Sequence, residues 1–171
     1  RPLLGQPTPC VGRESELAIL EGALTACIDE AMPRAVLVVG APGMGKSRLC
    51  RELVRRIDAR GQRVQVWLGG CDPLSPGTPY GPLNRALRHL CGVQEGESLA
   101  EKQRKLRDRV AEYLPPAEAR QTAEFLGQLC GVDFPEEGSI QLRAARQDPR
   151  LMADQVTQAV MGFLQAACAV H

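Results

Sequence analysis

The sequence predicts an α/β fold, in which a parallel sheet is flanked by helices and followed by a largely α-helical C-terminal half. Three consecutive features carry this prediction. Residues 35–39 are all apolar and three are valines, as in a central strand buried on both faces. A glycine-rich segment follows at 40–47, and after it Leu49, Leu53 and Ile57 recur at helical spacing. The order of strand, loop and helix is that of a βα unit, and we expect the sheet to be incomplete within this chain.

The glycine-rich segment reads G-A-P-G-M-G-K-S and matches G-x-x-x-x-G-K-[ST], the P-loop or Walker A pattern of P-loop NTPases. Its glycines allow backbone N–H groups to turn inward around a polyphosphate. Lys46 supplies a charge for the β and γ phosphates, and the Ser47 hydroxyl is a ligand for Mg²⁺. The alternative is a glycine-rich turn without a ligand. The predicted site for a nucleoside polyphosphate and Mg²⁺ contains Gly40, Ala41, Pro42, Gly43, Met44, Gly45, Lys46, Ser47 and Arg48.

Apolar periodicity and turn residues place the other elements. A helix is predicted over 14–31, with Pro33 after it, and a second strand over 63–68. Three apolar stripes between 82 and 131 predict further helices, the last of which ends at Gly131. The final helix is predicted to begin at Asp148, an N-cap residue that precedes a proline.

These elements predict three segments. Residues 1–9 contain three prolines and a glycine, which is typical of an interdomain linker. Residues 10–81 form the nucleotide-binding core, and residues 82–171 form a helical block. Because the chain begins with Arg1 and its last helical pattern runs to the end, we expect it to be a piece of a longer protein.

Composition excludes several classes of protein. The net charge of +1 gives no global preference for nucleic acid or for anionic membranes. No apolar stretch approaches the roughly 20 residues that a membrane span requires, so a cytoplasmic location is predicted. The seven cysteines lie at least 17 residues apart and are accompanied by two histidines, which is not metal-ligand spacing. They are interpreted as small buried hydrophobic residues in a reducing compartment.

A family resemblance is carried by residues 10–17, which read C-V-G-R-E-S-E-L and stand upstream of the glycine-rich loop. This segment resembles the V-G-R-E box of AAA-like and STAND-type signal-transduction ATPases. Residues 71–73 and 77–83 resemble a later segment of the bacterial branch found beside serine/threonine kinase, nucleotide-cyclase or transcription-regulator domains. The resemblance implies contacts of Val11, Gly12 and Arg13 with the base and ribose of ATP. It also implies covalently attached signalling domains and a nucleotide-dependent oligomer.

The resembled proteins also contain a Walker B strand, whose terminal acids hold Mg²⁺ and orient the attacking water. Downstream of the loop, no run of four or more apolar residues is followed by Asp or Glu. We therefore expect the Walker B strand to lie beyond His171, and this chain to bind ATP without hydrolysing it efficiently. Asp72 is the one acid near a predicted strand end, and an Asp-Pro turn explains it better.

Three functions remain open from the sequence. The first is a regulatory ATP-binding switch that controls an attached signalling output. The second is a small-molecule or nucleoside kinase, since such enzymes carry the same loop, although the V-G-R-E box has no task there. The third is a helical protein-interaction module that bound nucleotide stabilises. A basic cluster at 102–109 is interleaved with acids and is interpreted as an exposed helix face.

Overall fold

A computed structural model describes residues 11–61, 64–70 and 80–170. The chain divides into two compact units, the first ending at Val64 and the second beginning at Gln65. The predicted linker at 1–9, Asp72 and most of the 71–83 resemblance lie outside the described residues. The predicted domain boundary between residues 81 and 82 stays a prediction.

Seven helices occur in the described residues. The first unit holds α1 (Glu14–Glu30) and α2 (Lys46–Ala59). The second holds α3 (Gly81–Leu90), α4 (Leu99–Ala111), α5 (Pro116–Cys130), α6 (Ile140–Gln147) and α7 (Pro149–Val170). The predicted bounds of the first helix agree with α1 to within one residue. The predicted start of the last helix is also confirmed, because the Asp148 carboxylate accepts hydrogen bonds from the backbone N–H groups of Arg150 and Leu151.

The predicted α/β fold with a parallel sheet is wrong for the part of the chain that the structure describes, which contains no β-strand. Residues 35–39 lie outside the helices, and their side chains are exposed. Their exposure alternates, with Val36 and Val38 less exposed than Leu37 and Val39, as in extended backbone. A strand also needs a partner that completes its backbone hydrogen-bond ladder, and neither this segment nor 64–70 forms one.

In the first unit the buried core is small and lies where α1 contacts α2. Leu17 of α1 is fully buried, and Leu49 and Ile57 of α2 are nearly so. Ion pairs supplement this packing: Glu21 of α1 binds Arg56 of α2, with 2.8 Å between Glu21 Oε1 and Arg56 Nη1, and also binds Arg60, the residue directly after α2. The two helices around the glycine-rich loop are therefore held by a few apolar contacts and a cluster of charges.

In the second unit the core is continuous across α3–α7. Phe163 of α7 is fully buried, with its ring stacked on Trp67 at 5.8 Å and edge-on to Tyr113 at 5.5 Å between centroids. The buried carboxylate of Glu124 accepts hydrogen bonds from the Ser139 hydroxyl at 2.6 Å and from Arg120 at 3.2 Å. The fully buried members include Leu87, Leu106, Val110, Phe125, Leu126, Cys130, Val132, Leu142 and Phe163.

The five cysteines that the structure describes only partly fit their interpretation as buried hydrophobic residues. Cys91 and Cys130 are buried in the second core, and burial raises the pKa of Cys91 to about 11 and that of Cys130 to about 12. Cys27 is half-buried, and Cys50 and Cys168 are exposed, contrary to the prediction.

Candidate functional site

The glycine-rich loop leads directly into α2. Gly43 and Gly45 adopt φ angles of +83° and +82°, a left-handed conformation that side chains other than glycine rarely adopt. Gly45 is the N-cap of α2, and its carbonyl accepts from the N–H groups of Arg48 and Leu49, both at 2.9 Å. Of these two glycines, Gly45 occupies a fixed position of the G-x-x-x-x-G-K-[ST] pattern and Gly43 a variable one.

The start of α2 is suited to an anion. No side chain caps it, and helix geometry leaves the N–H groups of Lys46 and Ser47 without an intrahelical acceptor. The positive end of the helix dipole lies at the same place, and the first turn contains no acidic residue. Residues 41–48 are exposed, so an anion can reach these donors from solvent. A phosphate is the ligand that such a helix start binds most readily.

Lys46 places its ammonium on the loop. Its Nζ donates to the carbonyl of Gly40 at 2.8 Å and to that of Ala41 at 3.0 Å. Met44 N–H donates to the Ala41 carbonyl at 3.3 Å, which closes the middle of the loop as a turn. The loop is therefore compact, with its one ammonium group and the start of α2 brought together.

The V-G-R-E box lies beside this loop. Arg13, the N-cap of α1, donates from Nη2 to the carbonyl of Met44 at 2.9 Å and from Nη1 to Glu16 at 2.5 Å. The hydrogen bond from Arg13 holds the pKa of Glu16 below its usual range. Gly12 donates its N–H to the Glu14 carboxylate at 3.2 Å, and Val11 is 78% exposed. The structure thus brings the box and the loop together through Arg13.

The magnesium prediction rests on Ser47, which lies in the first turn of α2. Within the described ranges, no three His, Cys, Asp or Glu side chains are grouped so that they could hold a metal ion. Mg²⁺ keeps several waters and is commonly bound through substrate phosphates with few protein ligands. A single hydroxyl beside a phosphate site fits that mode of binding.

The helix after the loop carries a charge network that spacing alone did not reveal. Arg55 and then Arg56 lower the pKa of Glu52 to about 2 through hydrogen bonds, and Arg56 and Arg60 lower the pKa of Glu21. Glu21 and Arg56 are 35 residues apart, so no local pattern connects them. The signal available in the sequence was only the density of arginines on α2.

Two competing sites are weaker. In α4 the cations Arg104, Lys105 and Arg109 pair with Glu101, Asp108, Glu97 and Glu112, as expected for an exposed helix face. A groove of about 520 Å³ in the second unit contains none of the predicted site residues. Its cation, Arg146, is already bound to Glu136 at 2.8 Å and to the Phe134 carbonyl at 2.9 Å.

The family model described as "AAA ATPase domain" matches residues 9–169, almost the whole chain and all twelve predicted site residues. The chain belongs to this family. The resemblance to an AAA-like P-loop ATPase is thereby confirmed, and a general ATPase-like function with nucleotide binding follows from membership. No curated protein and no solved structure matches the chain. In the portions of this AAA ATPase domain that the structure describes, no helix has the length and apolar character to cross a membrane.

Proposed function

We propose that this AAA ATPase domain binds Mg-ATP at the loop formed by residues 40–47 and acts as a regulatory switch. The observation that carries the proposal is the convergence of donors at one exposed place. Two glycines with positive φ, the Lys46 ammonium and the uncapped start of α2 meet there. Family membership supports a nucleotide as the ligand.

Within the proposed site the residues have separate tasks. The N–H groups of Gly45, Lys46 and Ser47 donate to the phosphates, with Arg48 beside them in the first turn of α2, and the Lys46 ammonium neutralises part of the phosphate charge. Ser47 would hold Mg²⁺, and the ion would offset part of the charge of the phosphates. Val11 and Gly12 extend the surface towards the base, which the exposure of Val11 supports.

In the proposed switch, the bound nucleotide controls the helices of the second unit and, through them, the attached signalling domains. We also propose that the protein assembles in a nucleotide-dependent way and that it is located in the cytoplasm. The regulatory role is supported by the separation of two features along the chain: the loop lies in the first unit, whereas most of the buried core lies in the second. That second core also favours the alternative of a helical interaction module, in which nucleotide only adds stability.

Replacement of Lys46 by alanine tests the binding site. We expect Lys46→Ala to weaken Mg-ATP binding to the full chain by roughly tenfold to a hundredfold, the worth of a hydrogen bond to a charged group. Isothermal titration calorimetry measures the affinity. Lys102→Ala, which removes the same charge from a half-buried position of α4 in the second unit, is the control and should leave the affinity unchanged. Equal affinities of Lys46→Ala and the parent chain would refute the site.

A comparison of nucleotides tests the switch. Amide hydrogen exchange of α3–α7 is measured with saturating Mg-ATP and with saturating Mg-ADP. A switch requires different exchange in the two states, because a ligand shifts an equilibrium only by its differential affinity for the two conformations. Identical exchange with both nucleotides would favour the interaction module. Phosphate transfer to a small-molecule acceptor would instead favour a kinase.

A further inference from the structure

Arg13 joins two segments that are far apart in the sequence. Its Nη2 atom lies 2.9 Å from the carbonyl oxygen of Met44, which is 31 residues away, and its Nη1 atom binds Glu16. The side chain is about one-third exposed, and both ends of its guanidinium are engaged by the protein. A guanidinium offers several donors in a fixed plane, so two acceptors define its orientation.

The backbone of Arg13 is fixed as well. Its carbonyl accepts the N–H of Leu17 at 3.0 Å, which makes Arg13 the residue from which α1 begins. Leu17 is fully buried, and Glu21 further along α1 binds Arg56 of α2 and Arg60, which directly follows α2. Arg13 therefore extends from a helix that is itself tied to the helix following the loop.

The contact with Met44 has a consequence for the next N–H group. The peptide bond between Met44 and Gly45 is trans and planar, so its C=O and N–H point in opposite directions. By holding the Met44 carbonyl on the Arg13 side, the guanidinium turns the Gly45 N–H to the opposite side of the loop. Lys46 holds the first part of the loop, at the carbonyls of Gly40 and Ala41, and Arg13 holds the second part.

We infer that Arg13 is a positioning residue for the triphosphate, which it serves by fixing the Met44–Gly45 peptide of the loop, and that its side chain does not read the base or ribose. The inference rests on the proposed nucleotide-binding function. It replaces the expectation that Arg13 contacts the base and ribose, and leaves Val11 and Gly12 for that end of the ligand. A preformed loop binds more tightly because fewer backbone states must be ordered on binding.

Two ligands that share a triphosphate distinguish these roles. The affinities of Mg-ATP and of magnesium tripolyphosphate, which has no base or ribose, are measured by calorimetry for the full chain and for Arg13→Gln. Arg13→Gln is expected to weaken both ligands by the same factor, roughly tenfold, because the loop serves both. Arg13→Lys, which keeps the charge and one donor, should restore part of the loss for both.

Controls keep loss of folding separate from loss of positioning. Arg104→Gln removes an equal charge from the exposed face of α4 and should leave both affinities at the parent values. Circular dichroism verifies that each variant is folded, and if Arg13→Gln is not, the ratio of the two affinities is read from Arg13→Lys. A loss confined to ATP would overturn the inference in favour of base or ribose contact, and so would no loss for either ligand. A parent chain that binds neither ligand would overturn the proposed function itself.

Discussion

The two units of the chain are stabilised in different ways. The first unit buries Leu17, Leu49 and Ile57 and relies on a network of Glu21, Glu52 and the arginines of α2. All six aromatic residues of the sequence lie in the second unit, where Phe163 is central to a continuous apolar core. The unit with the candidate site thus has a small core supplemented by ion pairs, and the other has a larger apolar core. Regions that bind ligands are often drawn from the less stable end of a structure.

The largest expected effect is on the second unit. Phe163→Ala removes a fully buried ring together with its contacts to Trp67 and Tyr113. We expect the free energy of unfolding of this unit to fall by about 3–5 kcal/mol, as for other buried aromatic residues. Urea denaturation followed by fluorescence of Trp67, the only tryptophan, measures it. A loss below about 1 kcal/mol would mean that the aromatic cluster does not stabilise this core.

A smaller effect is expected in the first unit on adding Mg-ATP. At a ligand concentration of about 100 times Kd, binding should stabilise the unit by about 2.7 kcal/mol. Amide hydrogen exchange should slow in α1 and α2 more than in α5. Lys46→Ala at the same ligand concentration is the control and should lose most of the protection. If amide exchange slowed most in α5 instead, the ligand would bind in the second unit and not at the loop of the first.

The smallest effect is a difference in acid sensitivity. The pKa of Glu52 lies at about 2 and that of Glu21 is lowered from its usual value of 4.5, in both cases by arginines. A carboxylate whose pKa is lowered on folding stabilises the folded state fully above about pH 4.5, and this stabilisation is lost as the pH falls towards about 2. Glu52→Gln should therefore flatten the pH dependence of amide protection in α2 over this range.

Glu97→Gln is the matched control for this prediction. Glu97 also has a lowered pKa, caused mainly by Lys105, but it belongs to the second unit. Its replacement should leave the pH dependence of α2 unchanged. An unaltered acid profile of α2 in Glu52→Gln would show that the charge network does not stabilise the first unit.

The sequence predicted helices well and strands poorly, for a physical reason. A helix closes its hydrogen bonds within one segment, so periodicity and caps such as Asp148 locate it. A strand needs a partner elsewhere, and the apolar run at 35–39 carries no information on whether one is available. α6 was not predicted because it is only eight residues long and has just two large apolar residues, Ile140 and Leu142. Its one strong signal is the N-cap Ser139, whose hydroxyl accepts from the Leu142 N–H at 3.3 Å.

The candidate site was predictable in part. The pattern at 40–47 identified the loop, and the structure shows positive φ angles at Gly43 and Gly45 and hydrogen bonds from Lys46 to the loop carbonyls, whereas the contacts with phosphate stay a prediction. The contact of Arg13 with Met44 and the pairing of Glu21 with α2 could not be predicted, because each joins residues more than 30 positions apart. Such contacts depend on the packing of α1 against α2.

The loop of the first unit is proposed as the phosphate site. Titration of Mg-ATP into the isotopically labelled full chain, followed through the backbone amide resonances by NMR, tests this proposal. We expect the largest shifts at residues 43–48, which contain and flank the N–H groups proposed to donate to the phosphates, and little change at the buried residues of α5. If the largest shifts occurred in the second unit and the loop resonances did not change, the loop would not be the phosphate site.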